Sequence, residues 1–145
     1  MRPAHSTSSS HVISELTIST QGAGLYEFTD QLPRLSGDGL LTLFVRHTSC
    51  SLLIQENADP SVQVDLEGYL RRLVPDADHP SMDWLTHTFE GADDMPAHIK
   101  AALLPVSLQI PVQNGDLMLG TWQGIYLFEH RARPHRRRVA LHFAA

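Results

Sequence analysis

Four apolar, β-leaning runs crowd the last forty residues: Ser107–Val112, Leu117–Thr121, Gly124–Glu129 and Arg137–Phe143. Their turn signals are Asn114-Gly115-Asp116, Gly120 and Arg133-Pro134. Asn-Gly between two such runs is a strong hairpin signal, because both residues tolerate the positive φ that a tight two-residue turn requires. Strands precede the helical segments and strands follow them, without regular β-α alternation. The pattern therefore predicts an α+β fold with mainly antiparallel sheets.

Upstream, alternation from Val12 to Ser19 predicts a strand, which Gly22-Ala23-Gly24 ends. Leu25, Phe28 and Leu32 lie three and four apart and predict a short helix ending near Pro33. Leu40–Arg46 and Ser51–Glu56 read as strands. Asp59-Pro60 is an N-cap followed by a proline in the first helical turn, and Val62, Leu66, Tyr69, Leu70 and Leu73 continue it as an amphipathic helix. Pro75–Pro80 is a polar loop. A further helix starts at Asp93-Asp94-Met95-Pro96, its first turn suitably acidic, and ends at Leu103-Leu104-Pro105. At 145 residues, with 42% apolar and 19% charged residues, the chain is one domain. That domain spans residues 11–145 behind a flexible terminus at 1–10.

The net charge of -5 argues against a nucleic-acid partner, and no apolar run is long enough to span a membrane. With neither a signal segment nor a span, the expected location is cytoplasmic. Cys50, the single cysteine, permits no intrachain disulfide. Beside His47 it invites a catalytic reading, but it runs directly into Leu52-Leu53-Ile54, which favours a buried small hydrophobe at the start of a strand.

Candidate chemistry centres on histidine. His87 and His98 flank Glu90, Gly91, Asp93 and Asp94, and His47 opens a polar loop after the strand at Leu40–Val45. Three imidazoles from separate elements would hold a divalent metal, zinc or similar, with a position left for water or a substrate oxygen. The spacing follows no standard zinc motif, and nine histidines produce chance groupings. Glu90, Asp93 and Asp94 would orient an imidazole or accept a proton, or serve only the helix dipole. Thr121 and Gln123, bracketed by Gly120 and Gly124, offer a hydroxyl and an amide to a pocket. In the run Arg131, Arg133, Arg136, Arg137 and Arg138, Arg131 is the candidate for a phosphorylated ligand, and Arg133, Arg136 and Arg137 read as a solvated edge.

Four blocks carry a resemblance. They are His47-Thr48-Ser49-Cys50-Ser51-Leu52, the segment from Glu56-Asn57-Ala58-Asp59-Pro60 to Val62, the segment from Glu90-Gly91-Ala92-Asp93-Asp94 to Lys100, and Leu119-Gly120-Thr121-Trp122-Gln123-Gly124-Ile125. In this order they resemble the signature of the YjbQ-like, secondary thiamine-phosphate synthase family, over about residues 12–143. The resemblance implies a β-sandwich-like core with two or three helices, a homotrimer and a histidine-rich site able to hold a metal. It also implies an activity, joining a pyrimidine diphosphate to a thiazole phosphate with release of pyrophosphate. A metal-dependent phosphohydrolase and a non-catalytic metal- or metabolite-binding trimer are the alternatives. On this sequence the resemblance makes His47, His87 and His98 the ligands. Asp94, Glu56 and Asp65 become catalytic candidates and Asn57 a substrate contact, beside Thr121, Gln123 and Arg131. Cys50 departs from the family's usual alanine, and His79-Pro80-Ser81-Met82-Asp83-Trp84 departs from its usual loop.

Overall fold

The strand β8 (His135–Ala144) organises the molecule. Arg137, Val139, Leu141 and Phe143 are buried, while Arg136, Arg138 and His142 are exposed, the period of two that puts one strand face into a core. β8 lies between β1 (His11–Thr20) and β3 (Gly39–Val45), antiparallel to both, so that Leu43 faces Leu141 and Val45 faces Val139. β5 (Ser107–Gln113) and the short β6 (Asp116–Leu117) extend this sheet, whose order is β1-β8-β3-β5-β6. A second antiparallel sheet runs β2-β7-β4, from β2 (Gly24–Glu27), β7 (Gln123–Glu129) and β4 (Cys50–Glu56). This computed structural model describes residues 11–145, so the expected flexible terminus at 1–10 falls outside the described residues.

One core fills the space between the sheets, with Leu41, Leu43, Ile110 and Leu141 meeting Cys50, Leu52, Ile125 and Leu127. β7 is buried on both faces from Gly124 to Glu129. Its alternate residues Tyr126 and Phe128 point away from that core, and the Tyr126 hydroxyl donates to the Glu56 carbonyl at 3.1 Å and accepts from Gln63 Nε2 at 2.9 Å. Gln63 belongs to α1 (Pro60–Leu73), which Asp59 caps by accepting from the Ser61 N–H at 2.9 Å. α2 (Asp94–Leu103) packs on β4 through a buried stripe of Asp94, Ala97 and Ala101. The architecture is the expected α+β domain with two antiparallel sheets and two α-helices. No helix among the described residues is long and apolar enough to cross a membrane.

Three expectations need correction. Leu25, Phe28 and Leu32 share no helix: Gly24–Glu27 pairs with β7, Leu25 opposite Phe128, and only a 3₁₀ turn at Thr29–Gln31 follows. The available ladder partner outweighs a three-four spacing sustained over so few residues. Leu117–Thr121 forms no full strand either, because the ladder ends with the Met118 N–H on the Pro111 carbonyl at 2.9 Å and the Gly120 N–H turns onto Gln123 Oε1 at 2.7 Å. The Asn114-Gly115 hairpin before it forms as predicted, with φ of 51° and 81°.

Arg137 is the third. It belongs to no solvated edge but sits 3% exposed beneath the sheet, pairing through Nε and Nη2 with both oxygens of Glu129, itself 0% exposed. Glu129 also accepts from Thr20 Oγ1 at 2.7 Å and the Arg131 N–H at 3.1 Å, while Arg137 Nη2 donates to Ser49 Oγ at 2.9 Å. Burial pushes the Glu129 carboxyl up, but these donors outweigh it and hold the group below the usual carboxylate range.

Candidate metal centre

At the N-terminus of α2, Asp94 and His98 are four residues apart and therefore share one helix face. The loop before the helix returns His87 to that face. Asp94 Oδ2 lies 2.9 Å from His87 Nε2 and 3.4 Å from His98 Nε2, and one ligand atom from each residue lies within 4.8 Å of the others. The two rings meet edge to face, with centroids 5.7 Å apart. His98 Nδ1–H donates to the Thr48 carbonyl at 3.0 Å. Since a carbonyl only accepts, this bond places a proton on Nδ1 and turns Nε2 toward Asp94, the backbone-oriented imidazole of many metal ligands. Two imidazoles and one carboxylate with solvent on one side fit a divalent cation of the zinc or iron class.

The surroundings hold this geometry. Asp94 is buried, and Arg131 Nη1 donates to its other oxygen at 2.7 Å. Arg131 also reaches Asp93 Oδ2 through Nε at 2.9 Å and the Glu90 carbonyl through Nη2 at 3.0 Å, clamping the loop to the start of the helix. Burial pushes the Asp94 carboxyl up, but Glu90, His87, His98 and Arg131 together bring it below its ordinary value. Asp93 is lowered likewise against its burial, by the Ala132 N–H and Arg131. Both acids face the cluster as carboxylates near neutrality. Glu90 Oε2 stands 3.5 Å from His87 Nε2 and is largely exposed.

Asp94, expected as a supporting group, joins the donor set, and His47, expected as a ligand, is not part of it. The pairing of β3 with β8 continues past Val45, the Arg46 N–H donating to the Arg138 carbonyl, and the His47 ring then accepts the Arg138 N–H on Nε2 at 2.8 Å. Burial, Arg137 and Arg138 lower its pKa, which keeps it the neutral acceptor this bond needs. Its loop still contributes to the cluster, through the Thr48 backbone. Cys50 is buried in the core and its thiol is pushed up to about 12 by burial, so the packing role prevails over the nucleophile.

The remaining predicted residues lie elsewhere. Glu56, Asn57, Thr121 and Gln123 gather at the other end of the second sheet, where the Asn57 N–H donates to the Trp122 carbonyl. The length of β4 separates that end from Thr48 and the histidines, roughly 20 Å at about 3.3 Å per residue. There Asn57 Nδ2 donates to Glu27 Oε2 at 3.2 Å, and Glu56 Oε2 accepts the Asp59 N–H at 3.0 Å. Asp65 is exposed on α1. The motifs passed over Glu129 and His130, buried at the end of β7, and Lys100, buried on α2. Their signal, charged or titratable residues inside apolar runs, was present but has no spacing rule.

These features define a class, two-sheet α+β proteins that present a histidine-carboxylate cluster where a helix meets a loop. A family model described as UPF0047 protein YjbQ-like matches residues 14–145. The chain belongs to this UPF0047, YjbQ-like family. It is 51% identical over 132 residues to the UPF0047 protein sll1880 of Synechocystis, covering 88% of this chain and 87% of the relative. To the UPF0047 protein YjbQ of Escherichia coli O157:H7 it is 43% identical over 130 residues, covering 86% and 91%. Among solved structures, a conserved hypothetical protein of Thermus thermophilus superposes with a TM-score of 0.77 at 35% identity, covering 88% of this chain and 97% of that one.

Proposed function

We propose that the protein is a divalent-metal-dependent enzyme acting on a phosphorylated small molecule, and that its reaction is the joining of a pyrimidine diphosphate to a thiazole phosphate. The carrying observation is the convergence of His87, Asp94 and His98 on one point open to solvent. A divalent ion held by His87, Asp94 and His98 would supply Lewis-acid polarisation and charge neutralisation to a phosphorylated substrate. Asp94 couples the two histidines, Arg131 and Asp93 keep the loop against the helix, and the Glu90 carboxylate is placed to accept a proton.

One observation favours a second reading. Arg131, a candidate for substrate phosphate, is already engaged by Asp93, Asp94 and Glu90, and the groups around the cluster are acids. A hydrolase that needs a proton acceptor beside the metal suits such surroundings, and phosphoester hydrolysis is the alternative. A coupled assay with both thiamine precursors, and a parallel assay of phosphate release from simple phosphoesters, separates the two. His98→Ala is expected to lower the rate by about a hundredfold or more in whichever assay is positive, in line with loss of a ligand rather than of its outer partner. Turnover unchanged by this substitution, or by chelation, would count against the cluster as the reaction centre.

The proposal includes a homotrimer. Within one chain the Glu56, Asn57, Thr121 and Gln123 end is remote from the histidines, and in the trimer we propose one subunit's end would come within reach of another's cluster. Light scattering is expected to return three times the chain mass. Mixing inactive His98→Ala and Glu56→Gln subunits is expected to restore part of the activity, and no recovery on subunit exchange would refute a shared site.

A further inference from the structure

The chain has two asparagines, and only Asn114 is followed by glycine. Asn57 precedes Ala58, and its side-chain amide donates to Glu27 Oε2 at 3.2 Å. Asn114 is exposed at the tip of the β5–β6 hairpin, and its side-chain amide makes no hydrogen bond among the described residues. An Asn-Gly pair is chemically weak for a steric reason. With no Cβ on Gly115, its backbone nitrogen can approach the Asn114 side-chain carbonyl carbon and close a succinimide ring. In that step the bond from the Gly115 nitrogen to Asn114 Cγ forms, the bond from Cγ to Nδ2 breaks, and Nδ2 leaves as ammonia with the Gly115 amide proton. Water then opens the ring at either carbonyl, giving aspartate or isoaspartate.

The fold acts on the attacking nitrogen. The Gly115 N–H donates to the Gly37 carbonyl at 2.8 Å, and the Asn114 N–H donates to Asp38 Oδ1 at 2.8 Å. Attack requires the Gly115 proton to leave, and a proton held on a carbonyl leaves less readily. Ring closure also requires the Gly115 nitrogen to swing toward the Asn114 side chain, a movement both bonds oppose. The segment before Gly37 lies directly on the turn, since a methyl group placed on Gly115 would stand 2.6 Å from the Leu35 carbonyl oxygen. The product does not fit back into this setting. Isoaspartate inserts an extra main-chain bond into a tight turn, against the register of Gln113 with Asp116 and Val112 with Leu117. Either product adds a carboxylate beside Asp38 and close to Asp116. The cleft of about 550 Å³ between residues 29–35 and 114–119 would then lose the order of one wall.

We propose that Asn114 is a site of spontaneous deamidation, held intact in the folded protein by the contacts of Gly37 and Asp38 with the turn. The site shares no residue with the histidine cluster and does not depend on the reaction proposed above. The full chain is incubated at mildly alkaline pH, folded and in urea, and residue 114 is followed by peptide mass mapping with fragmentation that separates isoaspartate from aspartate. Conversion at Asn114 is expected in urea, ahead of any at Asn57. In the folded protein it should run about tenfold or more slower, because reaction then waits for local opening of the turn. Asp38→Ala should raise the folded rate about fivefold, the size of one lost hydrogen bond. Where that variant does not fold, hydrogen exchange of the Gly115 amide in the unsubstituted protein decides. Slow exchange supports the Gly37 bond, and exchange at the rate of an open chain overturns it. No conversion in urea, equal rates in the folded and urea samples, or an unchanged rate in folded Asp38→Ala likewise overturns the proposal.

Discussion

Arg137→Met is expected to lower the unfolding free energy by about 3–5 kcal/mol, the cost of leaving a buried charge without its partner. The residue left behind is Glu129, 0% exposed, which would keep Thr20 and the Arg131 N–H but lose its bidentate guanidinium. Ser49 Oγ would lose a donor too. Urea unfolding with an unchanged m-value measures this, and the double variant Arg137→Met/Glu129→Gln should recover much of the loss because no unpaired charge then remains. The sign of the pH dependence follows from the lowered carboxyl. Glu129 contributes stability above its unfolded pKa, ordinarily 4.5, and that contribution is lost as pH falls through the lower folded value. The cost of Arg137→Met should therefore shrink in acid. A single-variant cost below about 1 kcal/mol, the range of exposed pairs, would show that the pair is solvated in solution.

Acid should also act through His130. This ring is buried against Phe128 with Nε2 2.9 Å from Ser51 Oγ, and burial together with Lys100 lowers its pKa from 6.5 to about 3. Between those values the unfolded chain binds a proton that the folded chain refuses. Stability consequently falls as pH falls across that window, by up to about 1.4 kcal/mol per pH unit from this one group. His130→Gln, which can retain a bond to Ser51 but cannot take the proton, should flatten the stability profile between about pH 6 and about pH 4. Identical slopes in the two proteins, or a His130 resonance titrating near its ordinary pKa by NMR, would refute the assignment.

The candidate residues differ in how far they could be read in advance. The nearness of Asp94 to His98 is local, because helix periodicity alone puts residues 94 and 98 on one face. His47 lies apart from them because its ring direction depends on where the β3–β8 ladder ends, and the Arg138 N–H it accepts is 91 positions away in sequence. Arg137 could have been placed, since it shares the phase of Val139, Leu141 and Phe143. Its partner could not, because the Glu129 contact exists only after the two sheets have closed on each other. Lys100 shows the same limit, its setting being made by α1, β7 and the loop after α1.

What the chain determined by itself is local: the alternation of β8, the Asn114-Gly115 turn, the Asp59 cap and the antiparallel α+β class. These depend on steric and hydrogen-bonding preferences within a few residues. The tertiary structure alone decided the strand order β1-β8-β3-β5-β6, the separation of Glu56 and Gln123 from the histidines, and the replacement of His47 by Asp94 among the converging donors. Each follows from register and packing between segments distant in the chain, whose pairing no local preference encodes.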